Sequence, residues 1–144
     1  MNISEFLKVF ENCKIEGDKI VIQNGLHDVI EYVTKNYSFT ILKDILAVDK
    51  IEKGIELTYH LYSEEDEEDL LITIYTKDEI ESIIDIFKSA IADENEIYDM
   101  FGIKFTGNDR LKRLYMPQDW EGFPLRKDYI EKDSRLAWND NNDA

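Results

Sequence analysis

Between residues 55 and 76 the chain writes the same pattern twice. Ile55, Leu57, Tyr59 and Leu61 alternate with Glu56, Thr58, His60 and Tyr62, and a period of two puts the first set on one face of a strand and the second on the other. Leu70 to Thr76 (LLITIYT) supplies a second strand, and Ser63-Glu64-Glu65-Asp66-Glu67-Glu68-Asp69 between them reads as a hairpin loop with a solvated, self-repelling tip. A hairpin with one apolar face must bury that face against another layer.

The flanking segments offer that layer. Ile3, Phe6, Leu7 and Phe10 follow helical spacing, and after Asn24 the set Leu26, Val29, Ile30 and Val33, with Tyr37 one turn on, marks a second amphipathic helix. Lys19 to Gln23 reads as a strand, as does Thr40 to Asp49 with a bend at Lys43-Asp44. Asp78-Glu79-Ile80-Glu81 offers an N-cap and an acid three residues on, predicting a helix with Ile80, Ile83, Ile84, Phe87 and Ile91 on one face. Ile97, Met100 and Phe101 predict a further short helix that Gly102 ends. The expected fold is an α+β two-layer domain over residues 1–105, with helices on one face of a mainly antiparallel (mixed) sheet.

After Gly107 no period is sustained. Pro117 and Pro124 resist helix, and the segment holds Tyr115, Trp120, Phe123, Tyr129 and Trp138. Residues 106–144 therefore read as an extended C-terminal docking arm, because large rings in irregular chain make sense when they pack on something, the domain itself or a partner. Charge divides at the same place. The 144 residues carry 17 Lys+Arg and 32 Asp+Glu, net −15. Residues 1–100 hold 9 of the bases and 24 of the acids, whereas residues 101–144 hold 8 of each and all four arginines, Arg110, Arg113, Arg126 and Arg135. An acidic body argues against nucleic acid, whose phosphates are met by an excess of Lys and Arg.

A chain of this length buries roughly 68–70% of its unfolded surface, enough for a core without metal or disulfide. The single Cys13 excludes an internal disulfide framework and reads as a small, partly buried side chain. No apolar stretch reaches the about 20 residues of a membrane span, and the first residues lack a cationic start and apolar run, so a cytoplasmic location is expected. His27 and His60 are far apart with no Cys or His neighbour, so no metal site is expected. The sequence lacks G-x-G-x-x-G, G-x-x-x-x-G-K-S/T, C-x-x-C, H-E-x-x-H and G-x-S-x-G.

Two blocks carry a resemblance. Glu94-Asn95-Glu96-Ile97-Tyr98-Asp99-Met100-Phe101-Gly102-Ile103 resembles the block E-R-E-hydrophobic-x-D-hydrophobic-F/Y-G. Arg110-Leu111-Lys112-Arg113-Leu114-Tyr115-Met116-Pro117, with Asp119-Trp120-Glu121-Gly122-Phe123-Pro124-Leu125-Arg126-Lys127-Asp128-Tyr129, resembles the tail R-R-hydrophobic-L-x-P followed by D/E-W-x-G-x-P-L-R-K-D-Y. Both blocks are similar to those of the 30 kDa subunit of respiratory complex I (NADH:quinone oxidoreductase), a family that includes the small subunit of energy-converting membrane-bound NiFe hydrogenases. Asn95 and Ile130 depart from the family's Arg and Pro, and Ser89-Ala90-Ile91 lacks a tryptophan often found there.

The resemblance implies a subunit without cofactor of its own, in the cytoplasmic arm of a membrane-bound redox complex. Its partners would be a large hydrogenase-like subunit and a small Fe–S subunit, which would hold the Fe–S clusters and a NiFe centre; the short chain points to the hydrogenase branch. The partner-binding residues it implies are Glu94, Glu96, Tyr98, Asp99, Phe101, Gly102, Arg110, Arg113, Leu114, Pro117, Trp120, Gly122, Pro124, Leu125, Arg126, Lys127, Asp128 and Tyr129, with Arg113 and Arg126 clamping the large subunit. Two rival readings are a stand-alone enzyme using Glu94, Glu96 and Asp99 as acid/base groups, and an acidic decoy presenting Glu64 to Asp69.

Overall fold

In a computed structural model that describes residues 1–129, the elements run α1 (Ile3–Val9), β1 (Cys13–Glu16), β2 (Lys19–Ile22), α2 (Leu26–Tyr37), β3 (Ile41–Asp49), β4 (Ile55–Ser63), β5 (Glu68–Thr76), β6 (Glu79–Glu81), α3 (Ala90–Phe101) and β7 (Lys104–Thr106). The alternating segments pair as expected: Leu57 lies opposite Ile74, Tyr59 opposite Ile72 and Leu61 opposite Leu70. The strand order is β1-β2-β5-β4-β3, antiparallel except for β2 beside β5, and the register slips between Leu42 and Asp44, the predicted bend. Residues 130–144, including Arg135 and Trp138, lie outside the description.

The apolar stripes meet in one core. Phe6 of α1, Leu26, Val29, Ile30 and Val33 of α2, and Ala90, Ile97 and Phe101 of α3 join Ile20, Ile22, Ile45, Leu57, Tyr59, Leu61, Ile72 and Ile74 from a single face of the sheet. The architecture is thus a two-layer α+β domain with a mixed sheet. On the other face Thr58 and Thr73 lie side by side, their hydroxyls 2.9 Å apart.

One predicted element is wrong. Residues 79–81 form a strand rather than a helix, pairing parallel with β7 to make a two-stranded sheet, and the chain then runs through turns until α3 starts at Ala90. The local signals Asp78 and Glu81 describe a helix start, but Lys104, Phe105 and Thr106 offer backbone partners from 25 residues along. Ile83 and Phe87 still reach the core, Ile83 through a single turn in which its carbonyl accepts from the Phe87 N–H at 2.9 Å. Spacing alone cannot distinguish one turn from three. The short strands β1 and β7 carry no strand signal of their own. They exist because β2 and β6 give them ladders.

The Tyr59 ring is fully buried, and its hydroxyl has no hydrogen-bond partner among the described residues. Burial foremost, with Glu94 and Glu81 nearby, holds its pKa well above the ordinary value. Because an unmade buried hydrogen bond costs about 1–3 kcal/mol, Tyr59→Phe is expected to leave stability unchanged or raise it by about 1 kcal/mol in urea unfolding; a clear loss would mean that the hydroxyl has a partner.

Candidate functional site

The two sequence blocks that suggest a partner surface meet at the C-terminal end of α3. Asp99 is wholly buried there. One of its carboxylate oxygens accepts three successive backbone N–H groups, from Leu114 (3.1 Å), Tyr115 (2.6 Å) and Met116 (3.0 Å). The other accepts Arg113 Nη1 at 3.2 Å, and the same nitrogen donates to the Asp99 carbonyl at 2.7 Å. Arg113 Nη2 donates to the carbonyls of Trp120 (3.0 Å) and Gly122 (2.8 Å). A single ion pair thus gathers residues 113–122 around the helix end. The Arg113 guanidinium also lies over the Phe123 ring, 4.5 Å from its centroid.

Residues 123–127 close the clamp. A helix end leaves its last carbonyls without intrahelical donors, and here the Leu125 N–H meets the Met100 carbonyl at 2.9 Å while Arg126 Nε meets that of Phe101. Arg126 Nη2 goes on to the Lys77 carbonyl at 2.8 Å, placing a cation where the helix dipole is negative. Gly102 ends α3 as predicted, at φ 78°, and a Cβ on it would come within 2.5 Å of the Phe123 ring. Here glycine satisfies both the left-handed backbone and the close approach. Farther along, Trp120 Nε1 donates to the Tyr129 hydroxyl at 3.1 Å.

Glu94 plays a parallel part at the other end of the helix. It is fully buried and accepts Ser82 Oγ (2.7 Å), the Ile83 N–H (2.9 Å) and Asn108 Nδ2 (3.0 Å), so it joins the β6 exit to the start of the arm. Burial raises its pKa against the lowering effect of those three donors. Asn95, standing where the family has Arg, holds the Lys112 N–H at 3.0 Å. Ser82, Asn95, Asn108, Asp49 and Lys77 therefore belong to the arm's seat, although sequence reasoning does not select them. No spacing rule links them, because each meets its partner only through the fold.

Of the implied partner-binding residues, Glu94, Asp99, Phe101, Arg113 and Trp120 are buried, and Tyr98, Gly102, Pro124, Arg126 and Tyr129 are half-buried around them. Arg113, expected to reach a partner's carboxylate, is instead closed inside the chain, and Arg126 donates to two of the chain's own carbonyls. Glu96, Arg110, Leu114, Pro117, Gly122, Leu125, Lys127 and Asp128 face outward, with Tyr115 the most exposed of the arm's large side chains at 68%. Glu94 and Asp99 are saturated with donors while Glu96 faces solvent, so the three carboxylates form no common acid/base pair. In the acidic run, Asp69 accepts from His60 (2.7 Å) and Lys43 (3.2 Å).

The family model described as respiratory-chain NADH dehydrogenase, 30 Kd subunit, matches residues 20–135, which include both blocks and most of the sheet. The chain belongs to that family. It is 34% identical over 110 residues to the fused C/D subunit of NADH-quinone oxidoreductase from Phocaeicola vulgatus, a match covering 74% of this chain but only 21% of that longer protein. It is 40% identical over 113 residues to the chloroplastic J subunit of NAD(P)H-quinone oxidoreductase from Ceratophyllum demersum, covering 73% of this chain and 70% of the relative. Its fold resembles a component of the membrane-bound sulfane sulfur reductase, an archaeal respiratory membrane complex, with a TM-score of 0.76 and 22% identity over 99% of this chain and 89% of that one. The family's tail motif is thus seated on its own helix block by the Asp99–Arg113 pair.

Two outcomes follow from this geometry. Leaving a buried charge without its partner costs about 3–5 kcal/mol, so Asp99→Ala is expected to lose about that much in urea unfolding and to expose residues 113–127 to proteolysis. Asp93, half-buried on α3, titrates near about 6 instead of 3.8, chiefly through burial and then through Asp44 and Glu96. The folded state therefore holds this proton more tightly than the unfolded state, and stability falls as pH rises from about 4 to 6. Asp93→Asn should stabilise the protein by about 1 kcal/mol at pH 7, after allowance for solvent screening, and by nothing below about pH 3.5; melting curves at the two pH values check it.

Proposed function

We propose that this chain is a non-catalytic structural subunit in the peripheral arm of a complex I-like membrane-bound oxidoreductase, where it docks on a large hydrogenase-like subunit. The carrying observation is the division of labour in the arm. Asp99, Arg113, Arg126 and Glu94 are engaged within the chain, and the loops that they hold present Leu114, Tyr115 and Leu125 to solvent. Exposed aromatic and aliphatic side chains on a backbone fixed by buried ions are pre-organised for an interface, since little ordering cost remains at binding. Family membership supports the role of subunit. Among the described residues no helix is long and apolar enough to cross a membrane, so membrane association through partner subunits is part of the proposal, as is a cytoplasmic position.

In this reading the Fe–S clusters, and a NiFe centre where there is one, belong to the large subunit and a small Fe–S partner. The finer assignment proposed is the branch related to energy-converting hydrogenases, which shares the tail motif. Pull-down from native membranes in mild detergent tests both levels. A NiFe-type large subunit and a channel-like membrane subunit are expected, and NADH-oxidising subunits in their place would move the protein to the quinone oxidoreductase branch. Tyr115→Asp with Leu125→Asp is expected to reduce recovery of the large subunit at least about tenfold without lowering the melting temperature of the protein, since removal of an interface anchor commonly costs about 2 kcal/mol or more. Undiminished recovery would remove the arm from the interface.

A further inference from the structure

Ile51 adopts φ 58°. That is the left-handed region, where a β-branched residue is a true outlier. The other two left-handed residues besides glycine have plain reasons: Ser38 closes α2 with its N–H on the Val33 carbonyl, and Glu67 turns the β4–β5 hairpin. Ile51 is 67% exposed, so core packing gives nothing in return.

The conformation is imposed from around it. Asp49 Oδ1 accepts the Ile51 N–H at 2.8 Å, and the turn closes through the Lys50 N–H on the Gly54 carbonyl (2.8 Å) and the Gly54 N–H on that of Ile51 (3.2 Å). Gly54 sits so near β5 that a Cβ there would lie 2.6 Å from the Thr76 carbonyl oxygen. Glycine or asparagine at position 51 would fit this turn without the strain. The sequence keeps a large aliphatic pointing outward instead.

It does not stand alone. Leu46 and Val48, on the β3 face turned from the core, are 58% and 44% exposed. With Ile51 they make an apolar ridge along one edge of an otherwise acidic body. The ridge is tied to the arm: the second oxygen of Asp49 accepts the Lys127 N–H at 2.8 Å. Ile51 and residues 126–128 line facing walls of one cleft of about 290 Å³.

We infer that the Leu46–Val48–Ile51 ridge is a second anchor for the partner subunit that engages the arm, seated in an apolar groove with a basic rim. The inference rests on the reading of the arm as a docking element. Strained residues persist where function holds them, an exposed apolar cluster marks an interaction surface, and Asp49 makes this one continuous with the arm's outward face. Net charge of −15 on each copy opposes a second copy as the occupant and favours a basic partner.

The test places Ile51→Gly, Val48→Glu and, separately, Tyr115→Asp with Leu125→Asp in the native host, and measures the protein retained in the detergent-solubilised membrane complex beside melting and sedimentation of each purified variant. Ile51→Gly is expected to melt at or above the parent temperature, because strain is relieved, yet to be retained at least about fivefold less. Val48→Glu should show the same loss of retention with unchanged melting, and it decides the matter should the turn variant melt lower. Parent-level retention of both, with melting intact, overturns the inference. Retention of the Tyr115/Leu125 variant beside loss of the ridge variants would discard the arm reading and keep the ridge. A purified parent that sediments as a dimer, with a monomeric Val48→Glu, would overturn it in favour of a second copy.

Discussion

Asp99 lies at the end of α3 with no access to water, facing a guanidinium and three backbone amides. Two charges in such a place are stable only when every donor and acceptor around them is answered. The chain answers them with its own irregular segment: Arg113 fills its remaining valences with carbonyls of Trp120 and Gly122, and the amides of residues 114–116 turn toward the carboxylate. The path of the arm, the stacking of Phe123 and the capping of the helix end by Leu125 and Arg126 all depend on this one pair. Without it the last carbonyls of α3 and the buried carboxylate would both face apolar surroundings unpartnered.

This arrangement changes what the residues of the tail mean. Arginine and aspartate in an aromatic-rich segment suggest a sticky surface whose charges meet a partner. The structure gives the ions to the chain itself and leaves Leu114, Tyr115 and Leu125 outside. Ionic groups cost most when desolvated, so they serve best where their partners are fixed by the fold. The loops that they hold then carry apolar side chains at little entropic cost. Membership of the 30 kDa subunit family fits a protein whose chemistry is positional.

A segment can be locally persuasive and still be overruled. Residues 78–91 have an N-cap, an acid three residues on and a clean helical stripe, yet residues 79–81 join β7 as a parallel strand. A short strand needs only one neighbouring ladder to outweigh a helical preference of about a few tenths of a kcal/mol per residue. The apolar residues then keep their destination while changing their path, which is why the predicted core survives the wrong element.

The alternating hairpin, the α2 stripe, the bend at Lys43-Asp44 and the stop at Gly102 are legible from residues alone, because periodicity and glycine act over a few positions. So is the break near residue 100, because charge and proline are properties of composition. The seat of the arm is not legible. Asp49 to Lys127, Lys77 to Arg126, Asn95 to Lys112 and Glu94 to Asn108 are contacts made across the fold, and no local rule pairs an acceptor with a donor that chain topology alone brings near. Residue order is enough to require an acidic two-layer body and an aromatic arm. That the arm's charges face inward belongs to the fold, because burying Asp99 demands compensation that nothing but the arm is placed to supply.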